Sequence, residues 1–258
     1  MEPFAVASSL GKLLRGFIHM PPVPCGAILT CHGLFSSQGG LWSKPYLLSR
    51  RTVPRGIGLI RFDFTGAGIS GGKFTQSTLS QRVRDIHAVA GYIAQRWPSL
   101  PLALAGSSFG GAAAVLYAAR VRETPVGVAV WAAPANAADT FTYHSAELVP
   151  VLDAGRTVSV INHGRSYEFT PEYLADVRHN VPEHALAESA PFPLLIVHGS
   201  SDLTVPVEHA LRLRAAARGP VELQIIPRAG HQFDGFIDVL LDITAEWFVR
   251  LFCGSAER

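Results

Sequence analysis

With 258 residues, 48% of them hydrophobic and 16% charged and both kinds spread along its whole length, the chain has the material for one large buried core. A net charge of +2, carried by mostly isolated arginines with Arg50-Arg51 the nearest approach to a cluster, leaves no footprint for nucleic acid. No apolar run reaches the roughly 18 residues of a membrane helix, and the first ten residues carry Glu2 and no basic cluster, so a cytoplasmic chain without a secretory signal or a bilayer span is expected.

In chain order, short runs rich in Val, Ile and Leu predict strands at residues 13–19, 27–31, 58–64, 102–105, 126–132, 194–197 and 221–226. Longer amphipathic stretches lie between them. From Ser80 to Arg96, Val83, Ile86, Val89, Ala90 and Ile93 recur at helical spacing, and Trp97-Pro98 ends the helix. Further helices are expected from Phe109 to Arg120, from Ala210 to Ala217 and after His231, the last with Phe236, Ile237, Leu240, Leu241 and Ile243 inward. Strands alternating with helices predict the α/β class, a mostly parallel central sheet flanked by helices. Residues 135–190 carry aromatics, histidines and turn residues without a clear strand, and read as a small inserted cap. Residues 1–134 and 191–258 then form a single core domain, with no repeats and no dividing linker.

Gly106-Ser107-Ser108-Phe109-Gly110 matches Gly-x-Ser-x-Gly where an apolar strand meets an Ala-rich helix, the context that this turn requires. Small residues are needed two before and two after the nucleophile, which selects Ser108 over Ser107. A serine hydroxyl needs a base and the base an orienting partner, and His231 and Asp202, each just beyond a predicted strand, fit those roles at the carboxyl edge of the sheet. Asp139 is the reserve acid. His32-Gly33-Leu34 follows the 27–31 strand, so the amides of Leu34 and Phe109 are the expected oxyanion hole, reinforced by the helix that begins at Phe109. His32 and His198, at strand ends, are expected to brace loops by hydrogen bonding rather than to transfer protons.

Three other signals carry less. Gly66-x-Gly68-x-x-Gly71 satisfies a dinucleotide fingerprint, but Asp85, at the expected distance for an acidic partner, falls inside a helix pattern instead of ending a second strand. The three cysteines, Cys25, Cys31 and Cys253, lack Cys-x-x-Cys spacing and are expected to be reduced and mostly buried, and no His, Cys, Asp and Glu group has metal-ligand spacing. In the cap, Phe141, Tyr143, His144 and Tyr167 are equally a pocket lining or the cap's own core.

His32-Gly33, Phe62-Asp63-Phe64-x-Gly66-x-Gly68-x-Ser70, the Ser108 turn, Gly199-x-x-Asp202 and Gly230-His231 together resemble, in order and over most of the chain, the α/β-hydrolase superfamily. Within it, the short cap and the Gly-His end resemble the cinnamoyl or feruloyl esterase and serine aminopeptidase-like branch. Many of those relatives carry His where Ser107 stands and Gln, Met or Leu where Phe109 stands; the bulk of Phe109 narrows the acyl pocket. The resemblance implies hydrolysis of a small-molecule ester or thioester through an acyl-enzyme on Ser108, with no cofactor and no metal. An aminopeptidase using the same three residues, gripping a peptide amine through Glu147, Glu168, Glu172 or Asp176, and a non-catalytic binder of the same fold are the alternatives. No sequence feature fixes an oligomeric state.

Overall fold

A computed structural model describes residues 1–121 and 125–254. The chain runs β1 (Glu2–Ala7), β2 (Leu13–His19), β3 (Gly26–Cys31), α1 (Lys44–Thr52), β4 (Ile57–Phe62), α2 (Leu79–Arg96), β5 (Leu102–Ser107), α3 (Phe109–Arg120) and β6 (Val128–Trp131). It continues through α4 (Ala137–Ser145), α5 (Val149–Asp153), β7 (Val158–Asn162), β8 (Arg165–Phe169), α6 (Pro171–His179) and α7 (Pro182–Glu188). It ends with β9 (Leu194–Gly199), α8 (Glu208–Ala216), β10 (Val221–Ile226) and α9 (Ile237–Cys253).

Eight strands form one sheet in the order β1-β2-β4-β3-β5-β6-β9-β10. Pairing is antiparallel for β1 with β2 and β2 with β4, and parallel from β4 to β10. Strands β3, β4 and β9 are buried along their whole length, which explains their near-continuous apolar runs: each is covered on both faces. One face packs against α2, α3 and α8, the other against α1 and α9, through two separate apolar clusters. The run Ala112-Ala113-Ala114 is fully buried, its small side chains letting α3 lie close on the sheet.

Strand β1, helix α1, the four helices α4 to α7 and the hairpin β7–β8 lie beyond the sequence reading. The edge strand β1 contains Pro3, paired with Phe17 in register, a residue that strands tolerate at an edge. Helix α1 is nine residues long, opens on Lys44-Pro45 and carries Arg50-Arg51 in its last turn, too short and polar for a clear period. The reading of residues 135–190 as free of strands is corrected by the hairpin β7–β8. Its two-residue turn, His163-Gly164, has positive φ at both positions (47° and 73°), as the tight hairpin turn that matches strand twist demands. Helix α7, at the end of this segment, packs on α3. Cysteine burial also differs from expectation: Cys31 is buried and Cys253 half-buried, but Cys25 is exposed, its Sγ 3.3 Å from that of Cys253. No helix among the described residues is long and apolar enough to cross a membrane.

The topology brings the carboxyl ends of β3, β5, β9 and β10 to one edge, and thereby places His32, Ser108, Asp202 and His231 on neighbouring loops. Support from behind comes from α9, where Leu240, Leu241 and Phe248 are fully buried. Phe248→Ala should lower the unfolding free energy by about 3–5 kcal/mol, read from urea denaturation; a loss under about 1 kcal/mol would mean that α9 is not part of the cooperative core.

Candidate active site

Ser108 sits between β5 and α3 with φ 53° and ψ −127°, a backbone conformation that costs a non-glycine residue free energy and survives only when its surroundings enforce it. Those surroundings are on both sides. The Ser108 N–H donates to the Trp131 carbonyl at 2.8 Å, and the Ser108 carbonyl accepts from Gly111 and Ala112 at 2.8 and 3.1 Å. A Cβ on Gly106 would lie 2.6 Å from Gly111 Cα, and one on Gly110 would run into the carbonyls of Cys31 and His32. Both glycines are therefore dictated by the turn.

Beyond β9, Asp202 is buried and its carboxylate is fully engaged. Oδ1 accepts from the amides of Thr204 and Val205, each at 2.8 Å, and Oδ2 from His231 Nδ1 at 2.8 Å, with His198 Nε2 at 3.4 Å. Burial raises its pKa, but the bonds from His198 and His231, the charge of His231 and the Val205 amide outweigh burial and hold the carboxyl well below the usual range. An ionised carboxylate is acceptor only, so His231 carries its proton on Nδ1 and turns its Nε2 lone pair toward Ser108 Oγ, 3.1 Å away. The three residues named from sequence thus form one hydrogen-bonded chain. Asp139, the reserve acid, is elsewhere: it lies on α4 and accepts from Arg212 at 2.8 Å. His198, which also donates to the Val205 carbonyl at 2.8 Å, braces the Asp202 loop as expected and in addition touches the carboxylate itself.

Across from this chain lies the loop after β3. An added Cβ at Gly33 would be 3.5 Å from Ser108 Cβ, so this loop runs against the serine, and Leu34 and Phe109 both line the cavity around it. The Phe109 N–H is the first of α3 and has no partner within the helix. His32 is a neutral brace: Nδ1–H donates to the Gly33 carbonyl at 2.8 Å while Nε2 accepts from the Phe64 amide at 3.1 Å. Burial first, then the nearby Arg82 charge, pushes its pKa down to about 3.

Arg82, not singled out from sequence, is the keystone of that loop. Fully buried on α2, it donates to the carbonyls of His32 (2.8 Å) and Leu34 (3.4 Å) and to Ser77 Oγ (3.1 Å), and its guanidinium lies over the Phe64 and Phe109 rings at 4.5 and 5.0 Å. These bonds tie the carbonyls of the 32–34 loop to α2. The signal was in the sequence: Arg82, Ile86, Val89 and Ile93 share one helical face, so a cation stands in an apolar stripe. Val83, assigned to that face, is only half-buried.

The glycine-rich segment serves as scaffold. Gly66 and Gly68, both at positive φ, wrap the chain around buried Asp63, whose carboxylate accepts from the amides of Gln38 (2.5 Å) and Ile69 (2.9 Å). Asp85 lies within α2 and accepts from the Thr65 amide and hydroxyl at 2.8 and 3.0 Å. The glycines lead into a three-residue 3-10 turn, Phe74–Gln76, and α2 begins only at Leu79, so none of them opens the α-helix N-terminus that a pyrophosphate site needs.

Ser108 and His231 open into a cavity of about 510 Å³, walled by apolar side chains that include Phe35, Phe141, Val160, Phe169 and Tyr173. Of the cap residues considered from sequence, Phe141 and His144 line it. Tyr143 points to solvent, and Tyr167 packs against Phe35 and Phe74. Among the described residues the lining contains no Asp or Glu; Glu147, Glu168, Glu172 and Asp176 are all outside it. Arg82→Met, which strands the loop carbonyls, should cost roughly 3–5 kcal/mol of stability, measured by urea denaturation; a cost below about 1 kcal/mol would show that the loop holds its shape without the guanidinium.

Residues 22–165, more than half of the chain, match the family model of the serine aminopeptidases, S33. A curated relative, the monoacylglycerol lipase of Mycolicibacterium smegmatis, is 26% identical over 254 residues, covering 88% of this chain and 89% of the lipase. Among solved structures, Est1E from Butyrivibrio proteoclasticus with ferulic acid bound superposes with a TM-score of 0.79 at 21% identity, covering 96% of this chain and 98% of that one. Mouse alpha/beta hydrolase domain-containing protein 10 gives 0.80 at 19%, covering 97% and 100%. Sheet order, the turn at Ser108 and the family match agree: the chain belongs to the serine aminopeptidase S33 family and has the α/β-hydrolase fold.

Proposed function

We propose that the protein is a serine hydrolase that cleaves a carboxylic ester or thioester of small to medium size through an acyl-enzyme on Ser108. The observation that carries the reading is the continuous chain from Asp202 through His231 to Ser108 Oγ, opening on a mostly apolar cavity free of carboxylates among its described lining residues. Ser108 Oγ attacks the substrate carbonyl as His231 Nε2 takes its proton. The resulting oxyanion receives the Leu34 and Phe109 amides, aided by the positive end of α3. Collapse expels the leaving group, which takes the proton from His231. Water, deprotonated by the same nitrogen, then splits the acyl-enzyme, releasing the acid and restoring Ser108. Residues 135–190 act as the cap that roofs the acyl group through Phe141, Val160 and Phe169.

The name of the family brings in a second reading, the removal of an N-terminal amino acid from a peptide. A free amine at the site calls for a nearby carboxylate, and the cavity lining lacks one among the described residues, so esters are favoured. The monoacylglycerol lipase in the related curated set supports the same choice.

Turnover of p-nitrophenyl butyrate and of aminoacyl p-nitroanilides separates the two readings. The ester should be cleaved and the anilides left intact; the reverse would make the protein a peptidase. Ser108→Ala should lower kcat by a factor on the order of 10⁶ and Asp202→Asn by roughly 10⁴. An Asp202→Asn variant with near-native turnover would remove Asp202 from the mechanism.

A further inference from the structure

Lys44 opens α1 and lines the cavity beside His231 and Gln232, yet it is only 3% exposed. Its ammonium donates to the Gln232 carbonyl at 3.2 Å and to Gln232 Oε1 at 3.4 Å, both neutral oxygens. The group also lies 5.8 Å from the centre of the Phe233 ring, a further neutral partner. Among the described residues no carboxylate lies within ion-pair distance of Nζ. Asp234 acts on it only through space, and that carboxylate is exposed and accepts from Trp42 Nε1 at 2.7 Å.

This arrangement is costly in three ways. Burial strips water from the charge and pushes its pKa down to about 8, with Asp234 opposing the shift. Neutral acceptors return only part of the lost hydration. The first turn of a helix also repels a cation, since its N–H groups carry the positive end of the dipole. A cation held at such cost on a cavity wall is explained when the cavity's occupant brings the counter-charge. Lys44 is the one lysine or arginine among the described lining residues, which include no carboxylate to repel an anion.

We propose that Lys44 is a specificity-determining residue which binds a free carboxylate of the substrate, so that the preferred substrate is an ester bearing a carboxylate away from the bond being cleaved. The inference rests on the ester-hydrolase reading above. The hydrolysis itself is unaltered: water adds across the ester, and the distal carboxylate stays intact and bound.

The test compares monomethyl esters of the C4 to C8 dicarboxylic acids with methyl esters of monocarboxylic acids of equal length. Acetyl esters of C4 to C8 ω-hydroxy acids are compared in the same way with acetyl esters of the 1-alkanols, which covers the leaving-group side. At one chain length or more, the wild-type kcat/KM for the charged ester should exceed that for the neutral ester. That ratio should fall roughly ten- to a hundredfold in Lys44→Met and stay within a few-fold of wild type in Lys44→Arg. A wild-type preference for the neutral ester at every length on both sides overturns the proposal, as does an equal loss on charged and neutral esters in Lys44→Met, the result expected if Lys44 only braces Gln232. Binding is read separately from turnover, as a saturable rise in melting temperature of the wild-type protein with glutarate, adipate or pimelate. That rise, absent with the matching monocarboxylates, should occur even if no ester is cleaved; its absence counts against Lys44 as an anion site, whereas failure of p-nitrophenyl butyrate turnover alone counts against the ester reading.

Discussion

The turn between β5 and α3 is the constraint on which the site depends. It forces Ser108 into a backbone conformation that most residues avoid, and strand, helix and neighbouring strand are all engaged in holding it there. Once the turn is fixed, Gly110 must be bare because the carbonyls at the end of β3 pass directly beside it. That same close passage brings the 32–34 loop against Ser108. The parallel register of β5, β6, β9 and β10 then sets how far the Asp202 and His231 loops stand from the turn.

Charge inside the site is organised by burial. Asp202 keeps its negative charge because it accepts from two amides and from His231, with His198 Nε2 close by at 3.4 Å, and this charge decides the His231 tautomer. Arg82 is buried as deeply but meets mainly carbonyls and ring faces, so its charge is spent on loop geometry rather than on an ion pair. Lys44 differs from both in facing the cavity.

Most of the sheet was legible because buried parallel strands need continuous apolar runs, and those at residues 27–31, 102–105 and 194–197 are short, as strands are. The Gly-x-Ser-x-Gly turn and Asp202 were legible because each follows such a run, and His231 because it follows the alternating edge strand β10. The hairpin in the cap was hidden by its polar outer positions, although Val158 and Val160 alternate and His163-Gly164 supplies the turn. Arg82 and Lys44 escaped notice because charged residues are read as solvent-facing by default. In Arg82 the helical period contradicts that default. Nothing local does so for Lys44, whose burial arises from long-range contacts with Gln232 and Phe233.

The central claim, that Ser108 is an activated nucleophile, is tested most directly by the intact mass of the protein after exposure to a fluorophosphonate probe, with peptide mapping. One adduct per chain is expected, on Ser108, absent from Ser108→Ala. A folded wild-type protein that stays unlabelled, or is labelled elsewhere, would contradict it.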